Sequence, residues 1–298
     1  MWFCMKISVV IITFNEEKHL GECLESVKWA DEIIIIDSYS SDKTIEIAKK
    51  YTKNIHQVGR IGFGQTKNMG VDLSKNLWVL NVDADERIPE KLRNEIEEKL
   101  KDPKSDGYYM PRKSFLGKRW IKGAGQWPDY QLRLFRKDRG RFQEKLVHER
   151  VVLEGNTERL KNHMIHYNYD SWHHFINKRN WYTTKEAEGI LGKKFVWVYP
   201  WGVIRNFFHR YREYRKRNNS VASSYVMARS ALDKYELKWT VPFKPPFAFI
   251  RFYFIQQGFR DGVHGLAWAL SCSYDNFMKY AKYHDMKKSN SEAYKVSQ

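Results

Sequence analysis

The chain has 298 residues and a formal net charge of +17, with 42% hydrophobic and 15% aromatic side chains, which is ample for a core and excludes global disorder. The charge is uneven: residues 1–150 carry 28 basic and 23 acidic side chains, residues 151–298 carry 24 and 12. The basic, aromatic second half suits an anionic partner, and a cluster of acids in so basic a chain cannot follow from composition alone.

In chain order, Ile7–Thr13 reads as a buried strand, followed by a helix over Glu16–Val27 with Leu20, Leu24 and Val27 on one face. Glu32–Asp37 is a second strand, with Ser40 and Ser41 as N-caps for a helix over Asp42–Tyr51. Asn54–Val58 is a short third strand, Gly62–Leu73 a loop and helix, and Leu77–Val82 a fourth strand. Pro89 opens a helix reaching Lys101. Such alternation calls for a mostly parallel sheet with helices on both faces. Gly107–Pro111 and Tyr130–Arg136 are strands flanking a long aromatic loop, Arg112–Asp129. Beyond about residue 165 the pattern is helical, over Asp170–Gly189, Trp201–Arg217, Ser220–Tyr235 and Phe247–Tyr283. Gly192, Pro200, Pro242 and Pro245-Pro246 break it, and the polar last fifteen residues are expected to fray. The expected domains are 1–165 (α/β, catalytic), 166–284 (helical, basic) and 285–298 (tail).

Three cysteines, Cys4, Cys23 and Cys272, are too few and too irregularly spaced for a disulfide framework or a cysteine metal site, and suit a reducing compartment. Met1–Phe14 lacks a basic leader and reads as the first strand rather than a signal peptide. No window approaches the ~18 apolar residues of a spanning helix.

Three strands end in acids or amides: Thr13-Phe14-Asn15-Glu16, Asp37, and Asp83-Ala84-Asp85-Glu86. In a doubly wound sheet ligands sit beyond the carboxyl ends of the strands, so these ends describe one pocket. Carboxylates at i and i+2 of an extended segment share a side, and Asp83 and Asp85 could divide a divalent cation and a ribose between them. Asp37 could recognise a nucleobase or ribose, or simply cap a turn. Asn15 could N-cap the following helix, and Phe14 could pack on a base. No glycine-rich phosphate loop or dinucleotide fingerprint is present, which disfavours kinases and dehydrogenases.

Val9–Glu16, Ile33–Thr44, Gln65–Gly70 and Leu80–Arg87 together resemble the inverting glycosyltransferases of family 2, which have the GT-A fold. The likeness covers about residues 6–150 and looks closest to bacterial lipopolysaccharide-core enzymes, which the segment Trp127–Phe135 also suits. The resemblance implies that Thr13, Asn15, Glu16 and Asp37 contact the nucleoside. Lys67 and Asn68 would lie by the nucleotide, Asp83 near the ribose and Asp85 on Mg²⁺ or Mn²⁺. Where the family has a Glu-Asp pair this chain has Val147-His148-Glu149. Glu149 is the expected base, Asp129 the alternative, and His148 a metal or phosphate ligand. The expected activity moves one hexose, from a UDP-sugar such as UDP-glucose, to a lipid-linked saccharide at the cytoplasmic face of the inner membrane. The basic helices would meet an anionic membrane surface or cap the fold, with nucleic acid a lesser candidate. The alternatives are a nucleotidyltransferase or a non-catalytic nucleotide- and membrane-binding protein.

Overall fold

The computed structural model describes residues 5–144, 149–191 and 244–296, with side chains up to residue 288. The expected helices Trp201–Arg217 and Ser220–Tyr235, and His148, lie outside the described residues. The chain divides into two compact units, one of residues 1–122 and 126–175, the other of 123–125 and 176–298. The expected boundary at 165 falls inside a strand of the first unit.

That unit is built on a mixed sheet. Four parallel strands, β1 (Ile7–Thr13), β2 (Glu32–Asp37), β3 (Ile55–Gln57) and β4 (Trp78–Asn81), lie in the order β3-β2-β1-β4. The sheet continues through β8 (Asp129–Arg136), β6 (Gly107–Leu116), β12 (Met164–Tyr169) and β5 (Glu86–Arg87). β8 is antiparallel to both β4 and β6, and β5 is antiparallel to β12. Helices pack the two faces: α1 (Leu20–Val27), α2 (Thr44–Ala48), α3 (Phe63–Leu73) and α4 (Glu90–Lys101).

The apolar runs obey the two-residue period of a strand. Val9, Ile11, Ile33 and Ile35 enter one core with Leu24 of α1 and Leu92 and Ile96 of α4. Val10, Ile34 and Ile36 enter the other, with Val71 of α3 and Phe135 of β8. A strand buried on both faces needs no polar alternation, which is why these segments read as continuous isoleucine and valine. Two glycines set the seat of α3. A Cβ on Gly70 would lie 2.2 Å from Val10 Cγ1 of β1, and one on Gly64 would lie 2.0 Å from the Gln143 carbonyl oxygen.

Several expected elements change. Helix α1 begins at Leu20, because Asn15 takes a left-handed backbone (φ 54°) and His19 occupies the cap position; Asn15 is therefore no N-cap. Ser40 and Ser41 likewise do not cap α2, whose cap residue is Lys43. The long loop Arg112–Asp129 is shorter than expected. β6 runs on to Leu116, and a turn at Gly117 (φ 55°) returns the chain into β7 (Arg119–Trp120), paired antiparallel with it. β9 (Gly140–Phe142) and β10 (Val151–Leu153) form a small separate ribbon, and β11 (Thr157–Arg159) adds to β6.

In the second unit, α5 (Trp172–Leu191) contributes residues from Ile176 onward. Pro245 and Pro246 lie in the described part of α6 (Lys244–Ile250), and the residues before Lys244 lie outside the described residues. A π-helical turn (Arg251–Ile255) and a 3₁₀ turn (Gly258–Asp261) follow. The final helix α7 (Val263–Val296) starts after Gly262 (φ 59°) and extends through the tail expected to fray. Gly123 and Ala124 belong here: Gly123 N–H donates to Asp261 (2.6 Å) and Ala124 N–H to the Gln256 carbonyl (2.8 Å). Among the described residues no helix is long and apolar enough to cross a membrane.

Candidate active site

The register of the parallel strands brings the expected residues to one end of the sheet. Thr13 is paired with Asp37, and Val10 with Asn81 two residues before Asp83. Asp37 is fully enclosed and accepts four hydrogen bonds. These come from Thr13 Oγ1 (2.9 Å), Ser40 Oγ (2.5 Å), Ser40 N–H (2.9 Å) and Gln57 Nε2 (3.2 Å). Ser40 Oγ in turn accepts from Asn15 N–H, and Asn15 Oδ1 accepts from Ser41 N–H. Glu16 N–H donates to Thr44 Oγ1 at 2.7 Å. The two strand-end turns are thereby stitched into a single wall. Phe14 stands at its surface, 39% exposed, with the Arg60 guanidinium 3.8 Å over its ring.

The second half of the site is a chain of alternating charges. Lys67, on α3 and only 3% exposed, bridges Glu149 Oε1 (2.6 Å) and Asp83 Oδ1 (2.8 Å). The other oxygen of Asp83 accepts from Arg133, whose guanidinium also reaches Glu86 Oε1 (2.7 Å) and Asn81 Oδ1 (2.7 Å). Glu86 is wholly buried and also meets Arg112 (3.3 Å), which grips Asp129 through Nε (3.0 Å) and a terminal nitrogen (2.7 Å). The sequence Glu149–Lys67–Asp83–Arg133–Glu86–Arg112–Asp129 links the two candidate bases through three cations. Burial alone would raise the Asp83 carboxyl, but Arg133 and Lys67 outweigh it and hold it well below the usual carboxylate range. Asp129 is lowered in the same way, its burial overcome by Arg112. Burial opposes the charge on Arg133 and Arg112 too, yet their acid partners raise both.

Asp83-Ala84-Asp85 is not an extended segment, so the expected same-side pairing of its carboxylates fails. Glu86 N–H donates to the Asp83 carbonyl at 2.8 Å, closing a turn, and β5 then pairs with β12. The turn sends Asp83 to Lys67 and Arg133, whereas Asp85 lies 3.4 Å from His166 Nε2 on β12. The other ring nitrogen of His166 is 3.4 Å from Ser114 Oγ of β6. Both strands pair with β12 at this level, Glu86 and Ser114 standing opposite His166. Asp85 and His166 offer a carboxylate and an imidazole, a donor set that suits a divalent cation. Both oxygens of Asp83 already face cations. Among the described residues no group of three such side chains is gathered, so substrate oxygens and water would complete the shell.

Asn68, expected beside the nucleotide, pins the ribbon. Its Nδ2 donates to the Phe142 carbonyl (3.0 Å) and its Oδ1 accepts from Phe142 N–H (2.9 Å). Sequence reasoning did not assign Arg112, Arg133, Arg60 or His166. Arg133 lies within the segment Trp127–Phe135, between Leu132 and Leu134, and nothing in the sequence marks its side chain as buried. His166 had no signal beyond standing two residues after the buried Met164 in an alternating strand.

A family model for glycosyl transferase family 2 matches residues 8–153. The chain is 30% identical over 225 residues to an uncharacterized glycosyltransferase of Rickettsia typhi, covering 69% of this chain and 77% of that one. It is 31% identical over 200 residues to the lipopolysaccharide core biosynthesis glycosyltransferase LpsC of Rhizobium meliloti, covering 62% of this chain and 71% of LpsC. Among solved structures it is similar to residues 1–349 of TarS from Staphylococcus aureus, at 17% identity and a TM-score of 0.46. That likeness covers 96% of this chain and 92% of the TarS chain.

Proposed function

The chain belongs to glycosyl transferase family 2, and from that premise we propose that it transfers one hexose, with inversion, from a nucleoside diphosphate donor. UDP-glucose is the donor proposed, and a lipid-linked saccharide such as the lipopolysaccharide inner core is the acceptor, at the cytoplasmic face of the inner membrane. The observation that carries this reading is the Lys67 bridge. One ammonium, 2.8 Å from Asp83 and 2.6 Å from Glu149, ties a donor-side acid to the proposed base.

The nucleoside lies against the stitched wall. Phe14 offers it a stacking face, Thr13, Asn15 and Glu16 line it, and Asp37 fixes their turn from behind. Asp83 faces the ribose, and Asn68 keeps the ribbon that follows β8 against α3. Glu149 takes the proton of the acceptor hydroxyl as that oxygen forms its bond to the anomeric carbon. The bond from that carbon to the diphosphate oxygen breaks on the opposite side, and the electron pair leaves with the nucleoside diphosphate. Lys67 orients Glu149 through its ammonium, 2.6 Å from Oε1. Asp129 is the weaker candidate base, because Arg112 grips it through two nitrogens and holds its carboxyl low, whereas Lys67 meets Glu149 through one nitrogen. Asp85 and His166 would hold Mg²⁺ or Mn²⁺, which when bound supplies Lewis-acid stabilisation to the leaving diphosphate.

The test is a thermal-shift panel of UDP-, GDP- and dTDP-sugars with Mn²⁺, followed by product analysis of the donor that stabilises most. Stabilisation by a UDP-sugar and release of UDP in the presence of acceptor are expected. Stabilisation by none of the donors, or pyrophosphate release from a nucleoside triphosphate, would overturn the proposal. Asp85→Ala is expected to abolish the Mn²⁺-dependent part of the shift. An unchanged Mn²⁺ response would remove Asp85 from the metal site.

A further inference from the structure

Helix α7 is apolar on two opposite faces. Trp268, Ala269, Cys272 and Tyr283 are buried. On the other side Val263, Leu266, Leu270, Tyr274 and Phe277 are 79%, 37%, 53%, 57% and 48% exposed. At 3.6 residues per turn these five fall within an arc of about 80° and run about 21 Å along the helix. The preceding turns add Phe254 and Ile255, 55% and 65% exposed. Scattered surface hydrophobics need no explanation, but a continuous stripe of this kind marks a contact with something apolar.

The charges around it say what that something is. The acids of this segment are mostly withdrawn: Asp261 is buried on Gly123 N–H and Asp275 on Arg179. Arg260, near the start of the stripe, and Lys287 and Lys288, beyond its end, are exposed, with Asp285 the exposed acid between them. A two-fold contact with a second copy would set basic ends against basic ends, whether the helices ran parallel or antiparallel, in a chain of net charge +17. Anionic headgroups instead complement the basic ends while the acyl region receives the stripe. Among the described residues no helix can cross a bilayer, so the mode is lying on the surface.

We propose that the exposed stripe Val263–Phe277 of α7, with its flanking Arg260, Lys287 and Lys288, is a docking surface for an anionic lipid bilayer. The contact is independent of the transfer reaction and would stand if the proposed donor or base proved wrong.

Flotation of the full chain with vesicles of phosphatidylcholine, with and without phosphatidylglycerol, tests it. The wild type is expected to float with the anionic vesicles, less so as salt rises. Leu270→Glu is expected to lower partitioning about tenfold or more, the worth of one buried leucine. Leu270→Trp keeps the apolar area and is expected to float at least as well as wild type. Failure of the wild type to float, equal flotation of the Glu variant, or loss of flotation in the Trp variant would each overturn the proposal. So would light scattering that shows a wild-type dimer made monomeric by Leu270→Glu with flotation unchanged, because the stripe would then belong to a second copy.

Discussion

Asp37 and Asp83 both stand at carboxyl ends of parallel strands, and both resemble the donor-binding acids of one family. Their surroundings differ. Asp37 is enclosed by hydroxyls and amides, and no cation is among its four hydrogen-bond donors. Asp83 is flanked by Lys67 and Arg133 and keeps 27% of its side chain exposed. A carboxylate satisfied by neutral donors shapes a loop, because each donor belongs to a turn that would otherwise be loose. One held by cations and still partly exposed stays ionised and available, because ligand groups can exchange with its partners. The two strand ends thus divide into an enclosed scaffold and a partly exposed edge held by cations.

The sharpest way to break this distinction is Arg133→Met. It leaves Glu86, wholly buried, and Asp83 without their shared guanidinium. Loss of one partner from such a buried pair costs about 3–5 kcal/mol, readable by urea denaturation. A loss below about 1 kcal/mol would mean that the ladder is not a structural unit. Asp37→Asn comes next, because an amide nitrogen would face donors where an oxygen now accepts. The expected loss is about 1–3 kcal/mol, accompanied by weaker nucleotide binding from the disordered turn. Stability and binding both unchanged would contradict the scaffold role.

Asp129→Asn probes the far end of the ladder through pH. The folded carboxyl is lowered, so its ion pair with Arg112 contributes stability above the unfolded value of about 3.9, lost as pH falls through the folded value. The melting-temperature gap between wild type and Asp129→Asn should therefore be full near neutrality and close below about pH 4. A gap that widens on acidification would contradict the sign. Arg60→Ala has the smallest expected effect. It removes the cation from Phe14, and nucleotide affinity should change only a few-fold, in line with the roughly 0.5–1 kcal/mol of an exposed pair. A loss of a hundredfold would place Arg60 on the phosphates instead.

How much of this was visible in the chain itself follows the same division. The scaffold side was legible because buried parallel strands leave long runs of isoleucine and valine that stop at a polar residue, as at Thr13, Asp37 and Asn81. The charge ladder was not. Arg112, Arg133 and Glu86 are ordinary charges in sequence, up to 47 positions apart, and only the antiparallel β6–β8 pairing and the short β5 bring them together. β5 has two residues and no periodicity to read. β6 runs past the expected end at Pro111 into the polar Arg112–Ser114, where Arg112 meets Glu86 and Asp129 and Ser114 lies by His166. The Asp83–Glu86 turn likewise separates two acids that strand geometry would have placed side by side. α7 shows a different limit. Its periodicity announced a helix, but which of its two apolar faces is buried depends on partners distant in sequence.

Glu149, held by Lys67, which also meets Asp83, is the proposed acceptor of the proton from the acceptor hydroxyl. Glu149→Gln tests it most directly, with donor affinity and transfer rate measured on the same preparation. The account predicts donor binding close to wild type and transfer reduced by about 10²–10⁴, the usual worth of a positioned base. Transfer at the wild-type rate would contradict it and move the role to Asp129.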